Sequence, residues 1–255
     1  MLKIWSWNVN GLRAAMNKGF LDTLLNEQPD IIGLQETKLQ EEQIPKEIIG
    51  FKAYHNYWSF AEKKGYSGVC LLTKPVPVSV KYGFDVERFD NEGRIIIAEY
   101  EKFYLFNIYF PNGKMSEERL QYKLAFYDKC LDVMQAYKKQ GKAVLVTGDY
   151  NTAHKPIDLT HPKANQDVSG FLPIERAWLD KIVEHGWVDT FREFDPSPNQ
   201  YSWWSYLGKA REKNVGWRID YFFIDKEHLS IVKKVGIRPD IYGSDHCPVY
   251  VEVEV

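Results

Sequence analysis

Cysteine is scarce in this chain. Cys70, Cys130 and Cys247 are the only three, widely spaced and without a C-x-x-C pair. No disulfide framework or cysteine-based zinc site is expected, and a reducing compartment fits such usage. Long apolar runs are also missing: none approaches the roughly 18 residues of a membrane-spanning helix. The opening residues Met1-Leu2-Lys3-Ile4-Trp5 show no basic segment followed by an apolar one, so no secretory leader is expected and the cytoplasm is the expected location. Charge of one sign does not dominate. Lys and Arg number 33 against 35 Asp and Glu, a formal net charge of −2, which argues against a polycation that coats nucleic acid. The chain has no G-x-x-x-x-G-K-[S/T], G-x-G-x-x-G or G-x-S-x-G and no His-x-x-x-His, so phosphate loops, dinucleotide folds, serine-hydrolase elbows and helical zinc sites are unsupported.

Linkers are absent too. Lys74-Pro75-Val76-Pro77 and Asp195-Pro196-Ser197-Pro198-Asn199 are short and read as loops inside one domain, 1–255. A domain of this size buries roughly 70–75% of its unfolded surface and needs no staple. Aromatic residues are plentiful at 15%, and three of the eight tryptophans, Trp203, Trp204 and Trp217, lie close in sequence.

Strands and helices alternate along the chain. Leu2–Trp7, Ile31–Gln35, Ser67–Thr73, Arg94–Tyr100, Phe103–Tyr109, Ala143–Thr147, Arg218–Ile224 and Val249–Val255 read as strands. Phe20–Glu27, Met115–Lys139 and Glu175–His185 read as helices. In the longest, Ser116 is a good N-cap, and Leu120, Leu124, Tyr127, Leu131 and Met134 recur at spacings of three and four. Apolar strands near Asn8, Glu36, Asp149 and His246 carry their polar residues at one end. That arrangement suggests an α/β core with a polar site at one edge of its sheets.

Asn8 and Asn10 sit two apart at a strand end and face one way. Glu36 directly follows a strand, as a ligand for a hard cation would. Gly148 frees the backbone before Asp149 and Asn151, an acid and an amide suited to holding a water and a phosphate oxygen. Asp220 lies within a strand, where an acid needs a partner, and Asp245-His246 precedes the last strand. Taken singly, each of these is equally a turn former, a surface acid or a loop residue. Adjacent Ser244, Asp245 and His246 do not make a hydrolase triad, which is assembled from separate segments.

Together, Trp7-Asn8-Val9-Asn10-Gly11-Leu12-Arg13, Leu34-Gln35-Glu36-Thr37-Lys38, Tyr109-Phe110-Pro111-Asn112, Gly148-Asp149-Tyr150-Asn151 and Ser244-Asp245-His246-Cys247-Pro248 occur in the order of the exonuclease-endonuclease-phosphatase superfamily, which the chain resembles from Leu2 to about Val251. Asn214-Val215-Gly216-Trp217-Arg218-Ile219-Asp220-Tyr221 narrows the resemblance to the exonuclease III and abasic-site endonuclease branch. The resemblance implies a DNase I-like four-layer α/β sandwich, two packed mixed β-sheets flanked by helices. It implies Mg²⁺-dependent hydrolysis of the phosphodiester 5′ to an abasic site, leaving a 3′-hydroxyl and a 5′-deoxyribose phosphate, with 3′–5′ exonuclease or 3′-end-cleaning activity beside it. Mn²⁺ would be able to substitute. The partner would be double-stranded DNA containing abasic sites, bound by a monomer beside the nucleoid if the source is prokaryotic.

By the same resemblance, Glu36 is the principal metal ligand, with Asn8 close by and Asp245 a support or second contact. Asp149 activates the attacking water and Asn151 helps hold the phosphate. His246, paired with Asp220, contacts the phosphate, and the Tyr109 phenol contacts it or assists the leaving oxygen. Trp203, Trp217 and Ile219 match the apolar pocket for a flipped-out abasic sugar, whose extrusion costs less than that of a paired base. Asn112, Lys114 and Met115 match a loop inserted at the lesion, and Asn165 lies in a loop near the site. Lys209, Arg211, Lys213 and Arg218 are expected to form one local DNA-binding strip. Asn10 stands where some relatives carry Asp, and the spacing from Asn165 to Gly170 differs by about one residue from some relatives. A phosphatase or sphingomyelinase on the same fold, and a non-catalytic DNA-binding module, are the alternatives. The tryptophan pair and the Lys114-Met115 loop argue against the first, and the filled catalytic positions against the second.

Overall fold

The alternating run at the start of the chain forms the first of fourteen strands in the computed structural model, which describes residues 1–255. They are Leu2–Asn8 (β1), Ile31–Gln35 (β2), His55–Ser59 (β3), Val69–Thr73 (β4), Ser79–Tyr82 (β5), Ile95–Glu99 (β6), Phe103–Tyr109 (β7), Ala143–Asp149 (β8), Trp187–Asp189 (β9), Trp203–Trp204 (β10), Gly216–Trp217 (β11), Asp220–Asp225 (β12), Val232–Ile237 (β13) and Val249–Val253 (β14). One six-stranded sheet has the order β13-β14-β1-β2-β4-β3, the other β5-β6-β7-β8-β12-β9, and β10 pairs with β11 alone. Within the two large sheets, β1–β2 and β7–β8 are parallel and the remaining neighbours antiparallel.

Three apolar layers separate four structural layers. Between the sheets lie Ile4, Ile31, Leu71, Leu105, Leu145, Phe222 and Val251. Alternate residues of β1 and β2, among them Trp5, Trp7, Ile32 and Leu34, turn the other way onto Leu12, Phe20 and Leu24 of the N-terminal helices. Phe106, Ile108, Val144 and Val146 of the second sheet face Phe126, Tyr127, Cys130, Trp178 and Ile182 from the helices Glu117–Lys138 and Pro173–Glu184. Period-two alternation thus feeds two cores at once, and β7 and β8 are buried along their whole length. The expected four-layer sandwich is what the chain forms. No helix is long and apolar enough to cross a membrane.

The long helix starts where Ser116 Oγ accepts the Arg119 amide at 3.2 Å, a cap of about 1 kcal/mol. Its buried face differs from the expected one. Lys123, Phe126, Tyr127, Cys130, Leu131 and Met134 are buried, while Leu120 and Leu124 are only half-buried. The buried lysine meets an acid from another helix, a partner outside any local period. Strands β3, β5, β9 and β13, which the sequence pattern does not announce, are the four edges of the two sheets. Three of them carry exposed polar residues, such as Ser79, Lys233 and Lys234, so their hydropathy signal is weak, and β9 is only three residues long.

Strand direction sets the site. Asn8 ends β1 beside Gln35, the last residue of β2, and Glu36 follows. Tyr109 ends β7 opposite Asp149, the end of β8, and Asp220 opens β12 opposite Asp149. A polar bridge ties the sheets just below: Gln35 Nε2 donates to Asn107 Oδ1 at 2.7 Å and to Ser6 Oγ at 2.9 Å.

Candidate active site

Asp149 sits at the centre of this edge. Gly148 lets it lie there, because a Cβ at Gly148 would come within 1.7 Å of the Ile108 carbonyl oxygen. Asp149 Oδ2 accepts from Asn8 Nδ2 at 2.8 Å, and Oδ1 accepts from the Asn151 amide at 2.8 Å. His246 Nε2 is 3.8 Å from Asp149 Oδ2, and His246 Nδ1 is 2.8 Å from Asp220 Oδ2. The Ser202 hydroxyl donates to the same Asp220 oxygen at 2.6 Å. Burial raises the Asp149 carboxyl to about 7; His246 opposes the rise and Asp220 adds to it. Burial alone would lower His246, but the Asp220 and Asp149 carboxylates more than offset it and push it up to about 10. His246 is therefore cationic at neutral pH. The ligand atoms of Asp149, Asp220 and His246 all lie within 4.8 Å of one another, but a protonated imidazole has no free lone pair to offer a metal ion.

Glu36 adopts a left-handed backbone, uncommon for a residue with a side chain (φ 57°), and so do Asn10 and Asn151. Its Oε1 lies 3.0 Å from Lys38 Nζ and its Oε2 accepts from Asn8 Nδ2 at 3.1 Å. Lys38 Nζ also donates to Asn10 Oδ1 at 2.6 Å. Asp245 accepts from Asn10 Nδ2 and from Trp203 Nε1, both at 3.0 Å. Burial raises Asp245, but His246 and these hydrogen bonds hold it below the usual carboxylate range. Tyr109 is buried under the Arg94 guanidinium, 4.7 Å from its ring centre. Burial, reinforced by Glu36, holds its phenol well above the ordinary value, so it remains a donor.

These groups open into a cleft of about 310 Å³, lined by Glu36, Tyr109, Asp149, Asn151, Asp245 and His246 on the polar side. Trp203, Trp217 and Ile219 line it with Val168, Ser169 and Gly170, and Asn112 and Lys114 stand at its rim. The Trp203 and Trp217 rings meet edge to face at 6.3 Å.

The profile of the Endonuclease/Exonuclease/phosphatase family matches residues 5–246. The chain belongs to that family. It is 43% identical to an exodeoxyribonuclease of Bacillus subtilis over the full length of both chains, and 44% identical to the DNA repair nuclease APEX1 of Danio rerio, covering 97% of this chain and 81% of that one. Among solved structures, a 3′ phosphatase from Neisseria bound to a product DNA hairpin superposes with a TM-score of 0.91 at 25% identity, and an AP endonuclease from Archaeoglobus fulgidus with 0.88 at 28%, each covering both chains fully. The chain is thus an enzyme of the exodeoxyribonuclease and AP-endonuclease branch, a nuclease of DNA repair.

Within this nuclease, not every residue expected at the site from sequence stands where it was expected. Asn8 turns its Nδ2 to the two acids while its Oδ1 accepts the Asn10 amide at 2.9 Å, so it orders Glu36 and Asp149 instead of offering a cation its oxygen. The basic strip does not form. Arg218 is buried between Asp158 and Asp189, 2.8 and 2.6 Å away. Arg211 donates to the carbonyls of Ser244, Pro239 and Ile241 and lies between the Trp204 and Tyr242 rings. Lys209 is exposed, 3.4 Å from Glu212. Arg218 and Arg211 are held by acids and carbonyls distant in sequence, whereas the partner of Lys209 is its near neighbour Glu212. Asn165 bonds the His161 carbonyl and does not line the cleft, and Met115 is exposed beyond its rim. Ser202, Arg94 and the Val168–Gly170 wall join the site without a sequence motif of their own, whereas Lys38 lies within the Glu36 motif.

Proposed function

We propose that the chain is a single catalytic domain, 1–255, that hydrolyses the phosphodiester 5′ to an abasic site in double-stranded DNA as a Mg²⁺-dependent monomer in the cytoplasm. The observation that carries the proposal is one cleft with Asp149 and His246 in its lining, Asp220 behind the histidine, and Trp203, Trp217 and Ile219 as its apolar wall. A compact apolar wall suits a sugar without a base, and a phosphatase for a charged inositol ring would not need it.

Asp149 accepts the proton of the attacking water, whose oxygen bonds to phosphorus as the bond to the 3′ oxygen breaks. An acid at about 7 suits that task near neutral pH. His246 in its cationic form and the free N–H of Asn151 face the phosphoryl oxygens; the other Asn151 N–H is held by the Phe110 carbonyl at 2.9 Å. The Tyr109 O–H supplies a proton to the departing 3′ oxygen. Glu36, Asp245 and Asn10 offer oxygens of the kind a hard cation takes; Glu36 Oε1 and Asn10 Oδ1 already hold the Lys38 ammonium, which a bound cation would displace. Mg²⁺ bound there, or Mn²⁺ in its place, would supply positive charge against the developing phosphoryl charge. The same chemistry at a strand terminus accounts for 3′-end cleaning.

The test is a labelled duplex with a tetrahydrofuran abasic analogue, incubated with Mg²⁺ or with EDTA. Cleavage with Mg²⁺ alone, ending in a 3′-hydroxyl, supports the proposal. Hydrolysis of inositol phosphates without cleavage of the duplex would replace it with the phosphatase reading.

A further inference from the structure

Lys123 and Glu175 are both wholly inaccessible to solvent and lie behind the cleft, 2.7 Å apart. Their hydrogen-bonding capacity is fully used. The three N–H groups of Lys123 meet Glu175 Oε1, Thr152 Oγ1 and the Asn151 carbonyl at 2.7, 2.8 and 2.8 Å. Besides Lys123, Glu175 accepts from Ser169 Oγ at 2.9 Å and from the amides of Gly170 and Leu172 at 2.5 and 3.1 Å. A buried ion pair is a weak device for stability, since an apolar pair of equal size often serves as well. This pair instead joins two walls of the cleft. Asn151 holds a left-handed backbone (φ 51°). Gly170 packs so near Trp217 that a Cβ would lie 3.2 Å from the indole, and its carbonyl accepts the Ala153 amide at 2.8 Å.

We infer that Lys123 and Glu175 are a positioning pair for the nuclease. Lys123 fixes Asn151 at the phosphate, Glu175 fixes the Ser169–Gly170 wall against Trp217, and the bond between them keeps pocket and phosphate contact in register. The inference rests on the function proposed above.

The test compares Lys123→Met, Glu175→Gln and the double variant Lys123→Met/Glu175→Met with the wild type on the tetrahydrofuran duplex, with melting temperatures measured alongside. Lys123→Met is expected to lower kcat about tenfold with little change in KM, because a displaced Asn151 acts in the transition state. Glu175→Gln is expected to raise KM for the abasic duplex and reduce its preference over an undamaged one. The double variant leaves no unpaired buried charge, so its melting temperature returns toward that of the wild type while kcat stays low. Recovery of kcat together with stability in the double variant, or wild-type kinetics in Lys123→Met, would overturn the positioning role. Inactivity of the wild type on the abasic duplex would instead contradict the function itself and take the positioning role with it.

Discussion

His246 directs its Nδ1 at Asp220 Oδ2 from 2.8 Å, leaving Nε2 on the cleft side, 3.8 Å from Asp149. The acid fixes the ring's orientation and its charge together, and the Ser202 hydroxyl on the same oxygen fixes the acid. Replacing His246 with Gln keeps a polar side chain but removes the cation. The expected result is a loss of about 10²-fold or more in kcat with modest change in duplex binding, read by single-turnover kinetics. Retention of most of the activity would contradict a cationic role.

The pH profile follows from the same pair. Asp149 must be ionised to accept a proton, so activity falls as pH drops through about 7. His246 must be protonated, so activity falls again as pH rises past about 10. A bell with these two limbs is expected for kcat/KM. Asp220→Asn removes the main carboxylate that raises His246 and should move the alkaline limb to lower pH. An alkaline limb that stays in place would reject that assignment.

The apolar wall should govern substrate choice. Trp217→Ala opens the cleft beside Gly170 and Trp203. Its KM for the abasic duplex is expected to rise by about tenfold, or about 1.4 kcal/mol, as apolar contact with the sugar is lost. Circular dichroism should stay unchanged, and equal losses on every DNA substrate would remove the wall from specificity.

Arg218 yields a stability prediction instead of a binding one. Burial raises Asp158, but Arg218 and then Arg192 more than offset it and hold it below its ordinary 3.8. A depressed acid stabilises the fold above its unfolded value, and that contribution is lost as pH falls toward and below it. Asp158→Ala strands much of the buried Arg218 charge and should cost about 3–5 kcal/mol in denaturant unfolding at pH 7. A cost below about 1 kcal/mol, the range of a surface pair, would show that Asp189 alone suffices.

How much of this was legible in sequence depends on whether the cause was local. Asn8, Glu36, Asp149 and His246 each follow or precede a strongly apolar strand, so their gathering at one edge could be read from pattern. The central strands β7 and β8 announce themselves for the same reason, whereas the four edge strands do not: β3, β5 and β13 are partly exposed, and β9 is only three residues long. Arg218 shows the limit. It stands between the cleft residues Trp217 and Ile219, and charge counting placed it on a DNA surface. Alternation turns it to the opposite face, where Asp158 and Asp189 lie 60 and 29 residues away. Lys123 was hidden in the same way: its helix period is broken by partners supplied by Asn151 and Glu175. Ser202 offers no pattern, because its role exists only once β10 lies beside Asp220.

The most direct measurement is single-turnover cleavage of the tetrahydrofuran duplex by Asp149→Asn and wild-type protein in Mg²⁺, with duplex binding measured in parallel. The wild type is expected to cut 5′ to the lesion and leave a 3′-hydroxyl, while the variant binds the duplex and cuts at least about 10²-fold more slowly. Wild-type cleavage rates in Asp149→Asn, or a 3′-phosphate at the cut made by the wild type, would contradict the mechanism.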